Sequence, residues 1–121
     1  MSKTALVVDD STSMRQMVSF TLSQHGFEVV EGGNGQEAID NVGSRAVNLV
    51  VTDLNMPVMD GITLIRELRA KPQFKTVPIL MLTTETQDSK KQEGKAAGAT
   101  GWIVKPFQPE KLLQVVDKVV R

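Results

Sequence analysis

Residues 47–53 read Val-Asn-Leu-Val-Val-Thr-Asp, a short and largely apolar run that ends in a carboxylate. Four more short apolar runs occur along the chain, at residues 6–8, 27–30, 77–82 and 102–104. Such runs, without regular polar alternation, are typical of strands buried on both faces of a parallel sheet. We therefore predict five strands, the third of them at residues 47–51.

Segments with the 3.6-residue period of an α-helix lie between these runs. The apolar residues of four segments fall on one helix face each: Met14, Met17, Val18 and Leu22; Ala38, Ile39 and Val42; Ile62, Ile65 and Leu68; and Leu112, Leu113, Val115, Val116, Val119 and Val120. Residues 88–97 contain Gly94 and offer only alanines as an apolar face. We expect this fourth helix to pack weakly and to be a moving part.

Glycine and proline support the same division of the chain. Gly26, Gly43 and Gly98 fall just after predicted helices, where a left-handed residue commonly ends a helix, and Pro109 stands where a first helical turn tolerates proline. A length of 121 residues suits one domain. We predict a single α/β domain over residues 1–121, with no output domain: a doubly wound (βα)5 fold around a five-stranded parallel sheet.

Composition narrows the classes of function. Fourteen basic and fourteen acidic side chains balance to a net charge of zero, without the basic excess that is usual for nucleic-acid binding. The chain has no cysteine, so disulfides and thiolate chemistry are excluded. Because no signal peptide or membrane-spanning segment is evident, we expect a cytoplasmic protein that does not bind nucleic acid or membrane, with a monomer as the default.

Polar residues follow the predicted strands at the edge where parallel α/β sheets bind ligands. Asp9 and Asp10 follow the first strand, Asp53 the third, Thr83 the fourth and Lys105 the fifth. If the first and third strands are neighbours, three carboxylates converge, and a hard divalent cation such as Mg²⁺ would relieve their repulsion. A lysine and a hydroxyl facing the same point would supply the positive charge and hydrogen bonds that a transferred phosphoryl group needs.

Each of these residues alone has a simpler explanation. An aspartate at a strand end commonly caps a helix or forms a turn, a lone lysine is commonly solvated, and a threonine is a common strand residue. The functional interpretation depends on polar residues at several strand ends that suit the same chemistry.

The pattern of motifs resembles that of two-component response-regulator receiver domains. The resemblance rests on Asp9-Asp10, the run Asp53-Leu54-Asn55-Met56-Pro57-Val58-Met59-Asp60-Gly61, Thr83 and Lys105-Pro106-Phe107, and it covers essentially the whole chain. It implies a flavodoxin-like sheet with strand order 2-1-3-4-5. Because no output domain is evident, the chain is most similar to the stand-alone chemotaxis regulators of the family.

The resemblance also implies roles for individual residues. Asp53 would be the phosphoacceptor that takes a phosphoryl group from the phosphohistidine of a histidine kinase. Asp10 and Asp53 would bind Mg²⁺ through their carboxylates and Asn55 through its backbone carbonyl, while Asp9 would act through a water. Lys105 would pair with the phosphoryl oxygens.

Two further positions would form the switch. Thr83 would bind a phosphoryl oxygen after transfer, and Trp102 occupies the position of a mobile aromatic residue that turns inward behind the threonine. Family members usually carry tyrosine or phenylalanine there, so the larger tryptophan leaves two alternatives: Trp102 rotates, or it stays packed against the fourth helix. The resemblance also implies a cis peptide bond before Pro106.

The expected function is a signalling switch that catalyses only its own phosphorylation and dephosphorylation. Its partners would be a histidine kinase, a protein effector such as the flagellar motor switch, and a phosphatase. Its output face would comprise the fourth helix, the fifth strand and the C-terminal helix. A phosphate sink, or a constitutive interaction module with the same fold, remains an alternative.

Two enzymatic or cofactor-binding alternatives fit the sequence less well. A flavodoxin-type flavin site would use Ser11, Thr12 and Ser13, but Asp9 and Asp10 would repel the flavin phosphate. A phosphatase of the haloacid-dehalogenase type carries its nucleophile on the first strand and a second acid two residues later. In this chain Asp53 follows the third strand, and Asn55 occupies the position of that second acid.

Overall fold

The computed structural model describes residues 3–54, 59–83 and 88–120, without the side chains of residues 88–90. Within these ranges, five strands alternate with five α-helices, which confirms the predicted (βα)5 order. The elements are β1 Lys3–Val8, α1 Thr12–Gln24, β2 Phe27–Gly32, α2 Gly35–Val42, β3 Leu49–Asp53, α3 Gly61–Arg69, a 3₁₀ turn at Pro72–Phe74, β4 Ile79–Thr83, α4 Asp88–Ala97, β5 Gly101–Val104 and α5 Pro109–Val119.

The five strands form one parallel sheet in the order β2-β1-β3-β4-β5, as predicted. Val8 at the end of β1 is level with Thr52 of β3. Asp53 is level with Leu82, so Thr83 is one residue further along β4. The carboxyl ends of β1, β3, β4 and β5 therefore meet at one edge of the sheet.

Both faces of the sheet are covered. In β1, Leu6 and Val8 belong to the hydrophobic core under α2, α3 and α4, whereas Ala5 and Val7 belong to the core under α1 and α5. Successive strand residues point to opposite faces, so a strand buried on both sides must be apolar throughout. This is the physical reason why uninterrupted apolar runs predicted a doubly wound fold.

Four predicted strand starts are wrong: β1 begins at Lys3, three residues before the predicted start, β5 begins one residue early at Gly101, and β3 and β4 each begin two residues late. Pro78 has no backbone N–H to donate, and its carbonyl instead accepts from the Val50 N–H at 2.9 Å, so β4 begins at Ile79 and not at residue 77. Asn48 stands directly before β3 and bonds to β1 through its side chain: its Oδ1 accepts from the Thr4 N–H at 2.9 Å. The third strand therefore begins at residue 49 and not at 47.

Side-chain caps and glycines set the helix ends. Ser11, Asn34 and Asp60 each accept a hydrogen bond from the backbone N–H three residues later, at 3.3, 2.9 and 2.8 Å, and so begin α1, α2 and α3. The three glycines predicted to end helices all have positive φ angles: 96° at Gly26, 53° at Gly43 and 117° at Gly98. Pro109 is in the first turn of α5, as predicted.

Helix α4 is held on the sheet through a small residue. A Cβ atom at Gly94 would lie 2.3 Å from Cε of Met81 in β4, so the absence of a side chain allows the helix to approach the strand. Ala97 is also buried, whereas Lys95 is exposed. Among the helices described here, none is long and apolar enough to cross a membrane.

Candidate functional site

The three acids predicted to converge do so at the carboxyl edge of the sheet. Asp9 and Asp10 follow β1, and Asp53 is the last residue of β3. One carboxylate oxygen from each lies within 4.8 Å of those of the other two. Asp9 is 1% exposed and Asp53 is 7% exposed, whereas Asp10 is open to solvent. The site therefore combines two buried acids with one that a ligand can approach from outside.

Lys105 joins the acids from the end of β5. Its Nζ atom lies 3.0 Å from Asp53 Oδ1 and 3.4 Å from Asp9 Oδ2, and its side chain is only 15% exposed. Its backbone N–H donates to the Thr83 carbonyl at 2.8 Å, which extends the pairing of β4 and β5. The Lys105–Pro106 peptide bond is cis, so that prediction is confirmed.

The environment of Asp53 disfavours its charged form. Burial is the main cause of a raised pKa, and the negative charge of Asp9 raises the pKa further. The Lys105 ammonium and the Leu54 N–H oppose this shift by hydrogen bonding. Among the described residues, both hydrogen bonds to the carboxylate end at Oδ1, from Lys105 at 3.0 Å and from Leu54 at 2.9 Å.

The donor set fits a hard divalent cation. All three side chains offer carboxylate oxygens, and the ammonium of Lys105 sets one positive charge against these three carboxylates. A divalent ion would relieve the repulsion that raises the pKa of Asp53. Mg²⁺ is commonly held by a few carboxylates together with waters, which suits an exposed Asp10.

Hydrogen bonds hold Asp9 at its backbone N–H, its carboxylate and its carbonyl oxygen. Its backbone N–H donates to the Gly32 carbonyl at 3.1 Å, and its Oδ1 accepts from the Ser11 N–H at 2.9 Å. The Arg15 Nη1 donates to its carbonyl oxygen at 2.8 Å. Arg15 was not among the residues predicted from the sequence. Its signal was an arginine one turn after the Ser11 cap, on a helix that starts beside the acid pair.

Gly61 makes space behind the site. A Cβ atom at this position would lie 2.4 Å from the Asp53 carbonyl oxygen and 2.9 Å from the Leu54 Cα. The Gly61 N–H donates to the Leu54 carbonyl at 2.9 Å. The start of α3 therefore packs directly on the backbone of Asp53, and only glycine permits this approach.

The proposed switch residues lie on neighbouring strands. Thr83 ends β4 and is 1% exposed. Trp102 in β5 is 37% exposed, and the Lys91 Nζ of α4 lies 5.3 Å from the centroid of its ring. In this conformation the indole faces outward against α4. Asn55, whose carbonyl was predicted to bind the metal, lies outside the described residues.

A doubly wound parallel sheet thus brings two buried acids, an exposed acid and a lysine together at its carboxyl edge. The sequence pattern of the family described as "Response regulator receiver domain" matches residues 5–117. The chain therefore belongs to the response-regulator receiver family.

The most similar relatives include stand-alone chemotaxis proteins. The chain is 40% identical to the chemotaxis protein CheY1 of Helicobacter pylori over 95% of its own length and 94% of that protein. It is 38% identical to the CheY homolog of Campylobacter jejuni, over 95% and 90% of the two chains. The solved structure of CheY4 of Vibrio cholerae superposes with a TM-score of 0.95 at 49% identity, covering 99% of this chain and 100% of that one.

Membership in the family excludes the flavin-binding and phosphatase alternatives as the main function. The chain is a CheY-like receiver domain, a signalling protein rather than a classical enzyme. Such a domain implies interaction with a histidine kinase and with an effector protein.

Proposed function

We propose that the chain is a Mg²⁺-dependent phosphoacceptor switch in which Asp53 receives the phosphoryl group. The observation that carries this proposal is the position of the Asp53 carboxylate: it is buried, lies 3.0 Å from the Lys105 ammonium, and is within 4.8 Å of the carboxylates of Asp9 and Asp10. A structural ion pair would need one acid, not three.

The transfer step is a nucleophilic attack by Asp53. One of its carboxylate oxygens attacks the phosphorus of the kinase phosphohistidine, with the Lys105 ammonium 3.0 Å from Oδ1. A P–O bond to Asp53 forms, the P–N bond breaks, and its electron pair stays on the imidazole. Lys105 then pairs with a phosphoryl oxygen within its reach, and stabilises charge there without moving far.

The acids would hold the metal. Asp10 and Asp53 would supply carboxylate oxygens, the Asn55 backbone carbonyl would supply a third ligand, and Asp9 would orient a bound water. When bound, Mg²⁺ supplies positive charge that offsets the negative charge of the phosphoryl oxygens.

Phosphorylation would act as a binding switch. A phosphoryl group adds close to two negative charges, which Thr83 at the end of β4 would engage. A shift of a few kcal/mol between two conformations is enough to change a binding surface. We assign the output surface to α4, β5 with Trp102, and α5.

The partner would be a protein. Residues 1–121 would act as one receiver domain whose output is binding and not catalysis. The relatives named as chemotaxis proteins support a role in chemotaxis. For such a role we propose the flagellar motor switch as the effector and a phosphatase that resets the switch.

The experiment is phosphorylation by a small donor. Wild type, Asp53→Asn and the surface control Asp40→Asn are incubated with acetyl phosphate or phosphoramidate, with and without Mg²⁺, while intact mass and Trp102 fluorescence are followed. We expect one added phosphoryl group on wild type and Asp40→Asn, only with Mg²⁺, and none on Asp53→Asn. If wild type gains no mass, the phosphoacceptor role is wrong and an interaction module of the same fold remains.

A further inference from the structure

Arg15 of α1 bridges the ends of β1 and β2. Its Nη1 donates to the Asp9 carbonyl at 2.8 Å, and its Nε donates to Glu31 Oε1 at 3.0 Å. We infer that Arg15 is a positioning residue for the acid pair: it sets the orientation of the Asp9–Asp10 backbone, and thereby the affinity of the site for Mg²⁺. This inference rests on the proposed function, because it concerns the same metal site.

The bond to the Asp9 carbonyl matters because of peptide planarity. The Asp9 C=O and the Asp10 N–H belong to one rigid unit, so fixing the carbonyl also fixes the direction in which the chain enters Asp10. The Asp9 N–H is already held by the Gly32 carbonyl at 3.1 Å. Asp10 is exposed, so the backbone before it is its main orienting restraint. Arg15 therefore acts on the metal through Asp10 and does not touch the metal itself.

Glu31 gives the guanidinium its orientation. Two donors of one planar group are used, Nε on Glu31 Oε1 and Nη1 on the Asp9 carbonyl, so the contact with Glu31 restricts the direction in which Nη1 meets that carbonyl. A lysine has a single ammonium on a flexible stem and cannot reproduce this fork. Outer partners that orient metal ligands typically change metal affinity by about 10–100-fold when removed.

A charge effect and a positioning effect predict opposite changes in Mg²⁺ affinity when Arg15 is removed. If the arginine acted only through its positive charge, removing it would leave the acids more negative and would tighten the binding of a cation. If it acts by positioning the acid pair, removing it weakens that binding. Its contribution to global stability is expected to be small, because its ion pair with Glu31 is partly exposed, with side chains that are 20% and 43% exposed.

The test measures Mg²⁺ affinity by calorimetry, with Mn²⁺ binding followed by electron paramagnetic resonance as a second readout. Arg15→Met keeps the apolar stem but removes both hydrogen bonds. The matched control is Arg45→Met, which removes one positive charge and the ion pair with Glu28, whose atoms are 3.4 Å apart. We expect about tenfold weaker binding for Arg15→Met and unchanged binding for Arg45→Met. Phosphorylation of Arg15→Met should recover at saturating Mg²⁺.

A further variant keeps the test decisive. Arg15→Lys retains the positive charge but not the fork, so it should bind Mg²⁺ more weakly than wild type while retaining the wild-type circular dichroism spectrum. If folded Arg15→Lys and Arg15→Met bind Mg²⁺ as tightly as wild type or more tightly, the positioning role is wrong while the proposed function stands. If wild type binds no Mg²⁺, both fail.

Discussion

Lys105 and Asp53 form an ion pair of 3.0 Å across the ends of β5 and β3, two strands that are not neighbours in the sheet. The same Nζ atom lies 3.4 Å from Asp9 Oδ2, so one ammonium is shared by two buried acids. It must serve both the resting carboxylates and, after transfer, the phosphoryl oxygens. Removing the Lys105 ammonium should therefore slow phosphoryl transfer without weakening metal binding.

Lys105→Met should slow phosphorylation without weakening the metal site. One preorganised charge at the transferred group is commonly worth about 10²–10³ in rate, so we expect phosphorylation by acetyl phosphate to slow by about that factor. Mg²⁺ affinity should hold or rise, because a cation that competes for the acids is gone. Intact-mass time courses and calorimetry measure the two quantities, with the exposed Lys111→Met as control. A wild-type rate of phosphorylation would refute the assignment of Lys105.

The stability of Asp53→Asn relative to wild type should increase as pH rises. Burial, the larger cause, and the charge of Asp9 raise the folded-state pKa of Asp53 above its ordinary value of 3.8. The folded chain therefore binds this proton more tightly than the unfolded chain, and stability is lost as pH rises from 3.8 through the raised pKa. The neutral asparagine avoids that loss, so without Mg²⁺ the variant should be the more stable protein at pH 7.

Thermal unfolding between pH 3 and pH 8 measures this effect. The difference between Asp53→Asn and wild type should shrink as pH falls and should vanish below the ordinary carboxyl pKa. Adding Mg²⁺ should stabilise wild type more than the variant, because a bound ligand stabilises the folded state. Equal melting temperatures at pH 7 without Mg²⁺ would show that the Lys105 pair fully offsets the cost of burying the charge.

The fold could be predicted because its strands are buried on both faces. Continuous apolar runs, with glycines after the helices, were enough for the (βα)5 order, and the family resemblance supplied the strand order. The starts of β3 and β4 could not be predicted, because they depend on partners that are distant in sequence. The Asn48 side chain bonds to Thr4, and the Pro78 carbonyl bonds to Val50.

Part of the candidate site could also be predicted from the pattern of strands. Asp9, Asp10, Asp53 and Lys105 each follow a strand, and the carboxyl ends of parallel strands share an edge. Arg15 was missed because its contact is with the backbone carbonyl of Asp9; its position one turn after the Ser11 cap is visible in the sequence, but that contact is not.

Gly61→Ala should damage the site without changing any of its ligands. The added methyl group would meet backbone atoms, at 2.4 Å from the Asp53 carbonyl oxygen, so either α3 or the end of β3 must shift. Overpacking of this kind typically costs about 1–3 kcal/mol. Gly101→Ala is the matched control, because its methyl group would make only an ordinary contact of 3.6 Å with Leu80.

Urea unfolding and the rate of phosphorylation test the Gly61 prediction together. We expect Gly61→Ala to lose both stability and rate, and Gly101→Ala to keep the wild-type stability or gain slightly. A Gly61→Ala protein with the wild-type unfolding midpoint would mean that α3 can move away from Asp53 at no cost.

Arg69 should hold the C-terminal end of α4 on the rest of the fold. From α3 it donates to the Gly98 carbonyl through Nε at 3.0 Å and Nη2 at 2.8 Å, and to the Phe74 carbonyl through Nη1 at 2.6 Å. Burial lowers the pKa of Arg69, so the structure accepts a desolvation cost to place the group there. Arg69→Met would leave these carbonyls without their donor, at a cost of about 1–3 kcal/mol.

Arg66→Met is the control for this prediction, because Arg66 is an exposed arginine on the same helix. We expect Arg69→Met, and not Arg66→Met, to lower the urea midpoint and to speed amide hydrogen exchange at Gly98 and Ala99, whose N–H groups donate to carbonyls of α4. If both variants unfold at the wild-type midpoint with unchanged exchange, α4 is held by its packing on Met81 through Gly94. Loss of exchange protection at Gly98 and Ala99 alone would instead place the effect of Arg69 at the end of α4, the helix that lies against Trp102 in the proposed output surface.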